Sequence, residues 1–348
     1  MEVLDNKCPN CNAKIAWNPK SQLFDCEYCG SKFTLEQMQQ YNNASNEKAN
    51  SDTVEKMDID MYTCKNCGAS VVADEQTTAT SCVYCGSTTI LKDRLSGALK
   101  PSKIIPFKKV KEDAILAFKG ISKGKPFMPK LFNKQENIEK ITGVYIPFWV
   151  YDCNLNGDMS FNCEDVRHWS TYDYSYTEIK KYSVVKNGKM QFYNVPVDGS
   201  TRFKDELMDS IEPFNFKELI DYNHAYLSGF LAEKYDVESE DAKTRAMDRI
   251  NNTAIDTMKN SIVNHSNKVL NTNNMISNIT KCDYILLPVW MVNIKYNNKM
   301  YSFAMNGQTG KLIGDIPLDK KKVAIWSILT FVIILGIELI FVLITGVR

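Results

Sequence analysis

Two stretches of the sequence share one pattern and decide the fold class. They read VYIPFWVYDCNLNGDMSF at residues 144–161 and LLPVWMVNIKYNNKMYSF at residues 286–303. In each, Pro-x-Trp opens a run rich in β-branched and aromatic residues, and an asparagine-containing turn then precedes a methionine and an aromatic residue. A strand, a tight turn and a second strand produce this pattern. We therefore predict a duplicated hairpin, with turns at Asn156-Gly157 and Asn297-Asn298, that builds antiparallel sheet.

Helices lie between these strand segments. Residues 109–121 and 239–264 repeat apolar side chains at helical spacing, and Ser239 is the expected cap of the second helix. The predicted class is α+β, with helices packed against antiparallel sheet. No G-x-S-x-G, phosphate loop or H-E-x-x-H occurs, and the three histidines are isolated in sequence. We expect no enzyme, and a ligand-binding or catalytic role for residues 95–317 stays as a competing hypothesis.

Eight of the eleven cysteines lie before residue 90, in four Cys-x-x-Cys pairs. They form two quartets of the form C-x2-C-x14-C-x2-C: Cys8, Cys11, Cys26 and Cys29, and Cys64, Cys67, Cys82 and Cys85. Two cysteine turns joined by a short hairpin bring four thiolates into a tetrahedron. The spacing predicts two zinc ribbons with two structural Zn²⁺ ions, whose binding is coupled to folding.

Two other metal hypotheses are weaker. Four thiolates can also hold one iron, but no redox partner or cofactor site is evident, and four cysteines leave no open position for a catalytic zinc. The remaining cysteines, Cys153, Cys163 and Cys282, could form a third site. Without Cys-x-x-Cys spacing, three buried thiols are the favoured interpretation.

The charge balance bears on the partners of the ribbons. The chain has a formal net charge of +1, and neither ribbon carries a basic stripe. A surface that binds phosphates needs such a stripe, so protein docking is favoured and nucleic-acid binding is the alternative. The aromatic stretch RHWSTYDYSYTE at residues 167–178 could line a binding face, although alternating aromatic residues more often pack within a sheet.

The C-terminal segment predicts a transmembrane helix. Residues 323–347 contain one charged residue, Glu338, in an otherwise mostly apolar run. As a helix they would be about 37 Å long, against a hydrocarbon core of about 30 Å; a buried core helix is the competing interpretation. Lys320, Lys321 and Lys322 precede the segment and place the N-terminal part in the cytoplasm, at the cell membrane, and Trp326 has the position of an interfacial aromatic residue.

Glu338 allows two interpretations. It could face a partner helix in a homo-oligomer or a second membrane protein, with Gly336 permitting close approach. Alternatively it lies near the outer surface and reaches water.

The predicted domain organisation has five parts. They are zinc ribbon 1 (1–35), a flexible linker that could begin with a short helix (36–60), zinc ribbon 2 (61–92), an α+β cytoplasmic domain (93–317), and the basic flank with the transmembrane helix (318–348). The ribbons are expected to move independently.

The whole pattern resembles the TFIIB-type zinc-ribbon membrane proteins of Firmicutes, also described as YdjG-like. The shared motifs include GVYIPFWVYD (143–152), VPVDGS (195–200), DSIEPFNF (209–216), YLSGFLAEKYDV (226–237), LLPVWM (286–291) and FAMNGQTGK (303–311). The resemblance implies a membrane-anchored cytoplasmic adaptor that works with PspA-like, ESCRT-III-like membrane-remodelling proteins or SPFH-type scaffolds in envelope stress. It supplies no catalytic residue.

Overall fold

The computed structural model describes residues 7–45, 59–72, 82, 84, 90–95, 100–121, 123–129, 132, 137–138 and 140–345. The strands are β1 (Ile15–Asn18), β2 (Leu23–Cys26), β3 (Lys32–Phe33), β4 (Ile59–Cys64), β5 (Ser70–Val72), β6 (Ile90–Leu95), β7 (Lys103–Ile104), β8 (Thr142–Ser170), β9 (Ser175–Asp198), β10 (Ile220–Asp221), β11 (Leu231–Glu233), β12 (Asn267–Asn273), β13 (Ile276–Tyr296), β14 (Lys299–Asn306) and β15 (Leu312–Gly314). The helices are α1 (Leu35–Ser45), α2 (Lys111–Ile121), α3 (Asp205–Ser210), α4 (Ser239–Asn260) and α5 (Lys320–Thr345). Two short 3₁₀ helices cover Phe216–Glu218 and His224–Leu227.

Strand β8, which contains the first quoted stretch, is the centre of the main sheet. It pairs antiparallel with β13 from Thr142↔Met291 to Asn156↔Ile276, and with β9 and β12 further along; β11 joins it in parallel. Its alternate residues enter two separate cores, because successive side chains of a strand point to opposite faces. Tyr145 lies in one core and Val144 in the other. The predicted α+β class with antiparallel sheet is confirmed.

The predicted hairpin in residues 144–161 is wrong. β8 continues through Asn156 and Gly157, and Gly157 is paired with Gly188 of β9. Gly157 has φ +150°, and a Cβ there would lie 2.3 Å from the backbone oxygen of Asn274. The glycine therefore permits close approach of the β12–β13 connection and makes no turn.

The second predicted hairpin is confirmed. β13 and β14 pair antiparallel, with Tyr296 opposite Lys299. Asn297 and Asn298 form the turn with φ values of 49° and 60°. Two successive residues with positive φ are typical of the type I′ turn, which asparagine tolerates better than most residues.

Both helices predicted from periodicity form. α2 buries Ala114 and Phe118. α4 buries Ile250 and Ala254 against the β8–β9–β12 face. The expected cap is wrong by one position, since Ser239 is already helical and Glu238 occupies the cap without a side-chain capping bond.

Both cysteine-rich segments that are predicted to be ribbons pack on the central domain, contrary to the expectation of independent movement. The indole Nε1 of Trp17 in β1 donates to the backbone oxygen of Phe107 at 3.1 Å, and its ring lies 4.8 Å from that of Tyr226. β5 of the second ribbon pairs with β11, where Val72 is opposite Ala232, and so extends the main sheet. The domain boundaries themselves stay predictions. The predicted linker begins with α1, and residues 46–58 lie outside the described part of the chain.

Candidate metal centres, membrane helix and docking tip

The first cysteine quartet converges on one point. The four Sγ atoms lie within 4.8 Å of one another. Cys8 and Cys29 have their sulfurs 3.5 Å apart, and so do Cys11 and Cys26. A disulfide needs about 2.05 Å, whereas tetrahedral thiolates at 2.3 Å from one zinc lie about 3.8 Å from each other. The quartet therefore has the dimensions of a four-thiolate metal site.

Three of the cysteine turns share one backbone geometry. The N–H of Cys8 donates to the oxygen of Ala13 at 2.8 Å, and the N–H of Asn12 donates back to the oxygen of Cys8 at 2.8 Å. The same pair of bonds recurs in the turns that begin at Cys26 and Cys64. The residue after the second cysteine has a positive φ in each turn: Asn12 (61°), Gly30 (72°) and Gly68 (70°). Glycine and asparagine accept this conformation, which aims both sulfurs of a pair the same way.

Cys29 lies in surroundings that favour its thiolate. Its Sγ is 3.2 Å from the hydroxyl oxygen of Ser31. Hydrogen bonds with the side chain and then the backbone of Ser31 lower the pKa of Cys29 to about 6, whereas the pKa of Cys11 in the same quartet is raised to about 12, against a hydrogen bond to the backbone of Ala13, by burial and by the neighbouring cysteines. A thiolate is the form that binds metal, and Cys29 therefore loses its proton more readily than Cys11.

The second quartet is described for three of its members. Cys64, Cys67 and Cys82 bring their sulfurs within 4.8 Å of one another, and those of Cys67 and Cys82 are 3.6 Å apart. Cys85, the predicted fourth ligand, lies outside the described residues. These two Cys-rich groups could each hold a metal ion.

Arg202 joins the second cysteine turn to the central sheet. Its guanidinium donates to the backbone oxygens of Gly68 at 2.7 Å and Cys67 at 3.4 Å. Its Nε lies 3.3 Å from Oε1 of Glu233, whose side chain is 0% exposed. Burial raises the pKa of Glu233 to about 8, and a hydrogen bond from Ser200 opposes this rise. The turn at Cys64–Gly68 is thus linked through Arg202 to the buried Glu233 of β11.

The remaining cysteines do not form a third site in the described part of the chain. Cys153 and Cys163 are buried, and their thiols donate to nearby backbone oxygens, while Cys282 is exposed. The histidines are also separate: His265 lies 3.0 Å from Asp165, whose pKa this hydrogen bond lowers, and His168 contacts Thr177. Among the described residues, the ligand groups are confined to the two quartets.

The C-terminal helix α5 is long and apolar enough to cross a membrane. From Lys320 to Phe341 its most apolar window has a mean hydropathy of 2.5, and 0% of that window is buried. The alternative of a core helix in this chain is therefore wrong. Trp326, Gly336 and Glu338 all lie on its exposed surface.

The helix begins at a well-defined cap. Asp319 accepts hydrogen bonds from the backbone N–H groups of Lys321 at 3.1 Å and Lys322 at 3.4 Å. Lys320 and Lys321 are exposed. Lys322 is half-buried, and its ammonium group donates to backbone oxygens of residues 126 and 128. Two of the three predicted topology lysines are therefore free to face solvent, and the third fastens the helix to the domain.

The aromatic stretch 167–178 forms the end of the β8–β9 hairpin, which we call the docking tip. The rings of Trp169 and Tyr176 stack across the strands at 5.5 Å, with the guanidinium of Arg167 5.6 Å from the Trp169 ring. Tyr172 and Tyr174 in the turn are 102% and 68% exposed. The aromatic residues thus pack on one another and still face solvent, which combines both interpretations of this stretch.

The comparisons with known proteins yield one informative match. No protein-family model matches the chain, and no solved structure matches it. The chain is 37% identical over 330 residues to a Bacillus subtilis (strain 168) protein named "Uncharacterized protein YdjG", and the alignment covers 93% of each chain. The chain belongs to the YdjG-like family. That name specifies no activity, so we infer the function from the residues of this YdjG-like chain.

Two structurally important residues of this YdjG-like chain, Asp319 and Arg202, were not predicted from the sequence. Asp319 stands directly before three lysines and a long apolar run, a pattern that marks a helix N-cap and could have been recognised. Arg202 has no local signal, because its partners at Cys67 and Gly68 are 135 and 134 residues away along the chain.

Proposed function

We propose that this YdjG-like chain is a single-pass, membrane-anchored adaptor whose ribbons and α+β domain lie in the cytoplasm. The main support for the proposal is a difference in burial between the apolar residues of α5 and those of the central strands. No residue in the most apolar window of α5 is buried in the chain, whereas the apolar residues of β8 and β13 fill a protein core. A fully exposed apolar helix of this length is stable when lipid surrounds it.

Two structural zinc ions are part of the proposal. The first site would use the converged thiolates of Cys8, Cys11, Cys26 and Cys29. The second would use Cys64, Cys67 and Cys82, with Cys85 as its fourth ligand. Four thiolates close the coordination shell, so zinc would supply folding free energy and no catalysis.

The proposed orientation across the membrane rests on the lysines beside the apolar segment and on the reducing conditions that thiolate metal sites need. Lys320 and Lys321 flank the apolar segment on the side of the folded domain, and cytoplasmic flanks carry such an excess of lysine. Thiolate metal sites also persist best in a reducing compartment. Trp326, less than two turns into the helix, then lies at the lipid–water boundary.

The docking tip lies at the end of β8 that is remote from its start at Thr142, where β8 pairs with Met291 of β13. From there β8 runs for 29 residues, and at about 3.3 Å per residue its path is roughly 95 Å long. The tip would therefore reach into the cytoplasm.

We propose that the partner is a protein of the PspA-like or SPFH-type class. The family resemblance suggests this class, and the composition of the tip supports protein recognition. Trp, Tyr and Arg are the residues that most often dominate the binding energy of protein interfaces. Trp169, Tyr176 and Arg167 occur together on one exposed face.

The proposal is tested by affinity purification of the full chain from membranes in mild detergent. The comparison is between the wild type, a Trp169→Ala/Tyr176→Ala variant, and a Tyr193→Ala control at another exposed tyrosine of β9. We expect PspA-like or SPFH-type proteins with the wild type and the control, and their loss with the tip variant. Recovery of neither class with the wild type contradicts the partner assignment. Salt-sensitive nucleic acid in the eluate would favour the alternative of a membrane-tethered nucleic-acid binder.

A further inference from the structure

A segment from the middle of the chain is fastened to the base of α5. The ammonium group of Lys322 donates to the backbone oxygens of Met128 at 2.7 Å and Pro126 at 3.3 Å. The backbone N–H of Asp319 donates to the oxygen of Phe127 at 2.8 Å. The Phe127 ring meets the Trp326 ring edge-on at 6.3 Å. These contacts join residues 126–128 to a helix almost two hundred positions later.

The contacts fix the depth of this segment relative to the membrane. Trp326 follows Lys322 by four residues, or about 6 Å of helix rise. Tryptophan concentrates at the lipid–water boundary, so its ring contact places Phe127 at the same level. The lysines next to Phe127 then lie at the height of the phospholipid headgroups.

The described residues of the same region carry a cluster of exposed lysines. Lys123 and Lys125 precede Phe127, and Lys320 and Lys321 begin α5; all four are exposed. None of these four ammonium groups has an ion pair with a described residue. Among the described residues of these two segments, the acid is Asp319, which accepts two backbone N–H groups at the helix cap.

We propose that residues 123–128 and the first turn of α5 form a binding surface for the anionic phospholipid headgroups of the inner leaflet. The inference rests on the proposed membrane span, and it adds a second protein segment to the membrane contact. Clusters of four or more basic residues directly beside a transmembrane helix attract anionic lipid. The lysine pair 123 and 125 would hold the α+β domain close to the bilayer and set the direction in which β8 leaves it.

The test uses the full chain in mild detergent, titrated with short-chain phosphatidylglycerol, short-chain phosphatidylcholine or inorganic phosphate. Each lysine near an anionic surface contributes roughly fivefold to binding, so Lys123→Gln/Lys125→Gln should weaken phosphatidylglycerol binding roughly 25-fold. Lys180→Gln/Lys181→Gln, which removes two exposed lysines of β9, should leave it unchanged. Phosphatidylcholine and inorganic phosphate should bind weakly to all three proteins.

Several results would overturn the proposal: an unchanged affinity in Lys123→Gln/Lys125→Gln, equal binding of phosphatidylcholine, or phosphate binding as tight as the lipid. Thermal unfolding of each variant checks that the fold is retained. Failure of the full chain to sediment with membranes would contradict the anchor itself. A chain that stays in membranes without preference for anionic lipid would contradict the headgroup surface alone.

Discussion

Replacing Arg202 with methionine should weaken metal retention at the second ribbon and leave the first unchanged. The substitution keeps most of the apolar stem and removes the guanidinium, whose bonds reach the backbone oxygens of Gly68 at 2.7 Å and Cys67 at 3.4 Å. It also removes the contact between Nε of Arg202 and Oε1 of Glu233 at 3.3 Å. Because burial raises the pKa of Glu233 to about 8, that carboxyl is mostly protonated at neutral pH, so the substitution leaves no unpaired buried charge.

The expected loss of zinc affinity follows from the lost hydrogen bonds. A hydrogen bond from a charged group contributes about 1.5–3 kcal/mol, and about 1.4 kcal/mol corresponds to a tenfold change in equilibrium. We therefore expect zinc affinity at the second site to fall roughly 10- to 100-fold. The first ribbon is anchored separately, through Trp17 and Phe107, and should keep its zinc.

The assay is zinc release from the full chain in detergent to a chromogenic chelator. Wild type should release two zinc ions per chain slowly, and Arg202→Met should release one of them quickly. Lys204→Met is the control, because its ion pair with Asp315 is exposed and such pairs contribute little. A Cys11→Ser background isolates the second site. Release of both ions at the wild-type rate from Arg202→Met would refute the role given to this arginine.

Three further predictions concern ligands, pH and the span. Cys11→Ser should lower the zinc content measured by atomic emission from two ions to one, whereas Cys153→Ser should retain both. Burial raises the pKa of Asp198 to about 6, against the opposing effect of Arg245, so the folded state favours the proton, and stability falls as pH rises from about 4 to about 6. Asp198→Asn should remove about 3 kcal/mol of this pH dependence in thermal unfolding; an identical profile would refute it. Glu338→Leu should stay in membranes and, if Glu338 contacts a partner helix, lose assembly in blue native gels.

The sequence predicted those parts of the fold whose signals are local. Cysteine spacing identified the groups that could hold metal, apolar length identified α5, and periodicity identified α2 and α4. The Asn297-Asn298 turn was correct because positive φ at both positions is an intrinsic preference of the local sequence.

The wrong predictions concern positions whose conformation is determined by distant segments of the chain. Asn156 and Gly157 have the composition of a turn, yet the glycine is required by the backbone of Asn274, more than a hundred residues later. The same limit applies to Arg202 and to the contacts of Phe127, whose partners are remote in sequence. Nothing in the local composition of a segment shows which remote backbone will lie against it.

The central claim is that a membrane-anchored chain presents its docking tip to a cytoplasmic protein. The most direct measurement is photocrosslinking in intact cells with a benzoylphenylalanine in place of Tyr172, which is 102% exposed at the tip. We expect an adduct in the membrane fraction that contains a PspA-like or SPFH-type protein. Absence of a protein adduct there, or an adduct with nucleic acid, would contradict it.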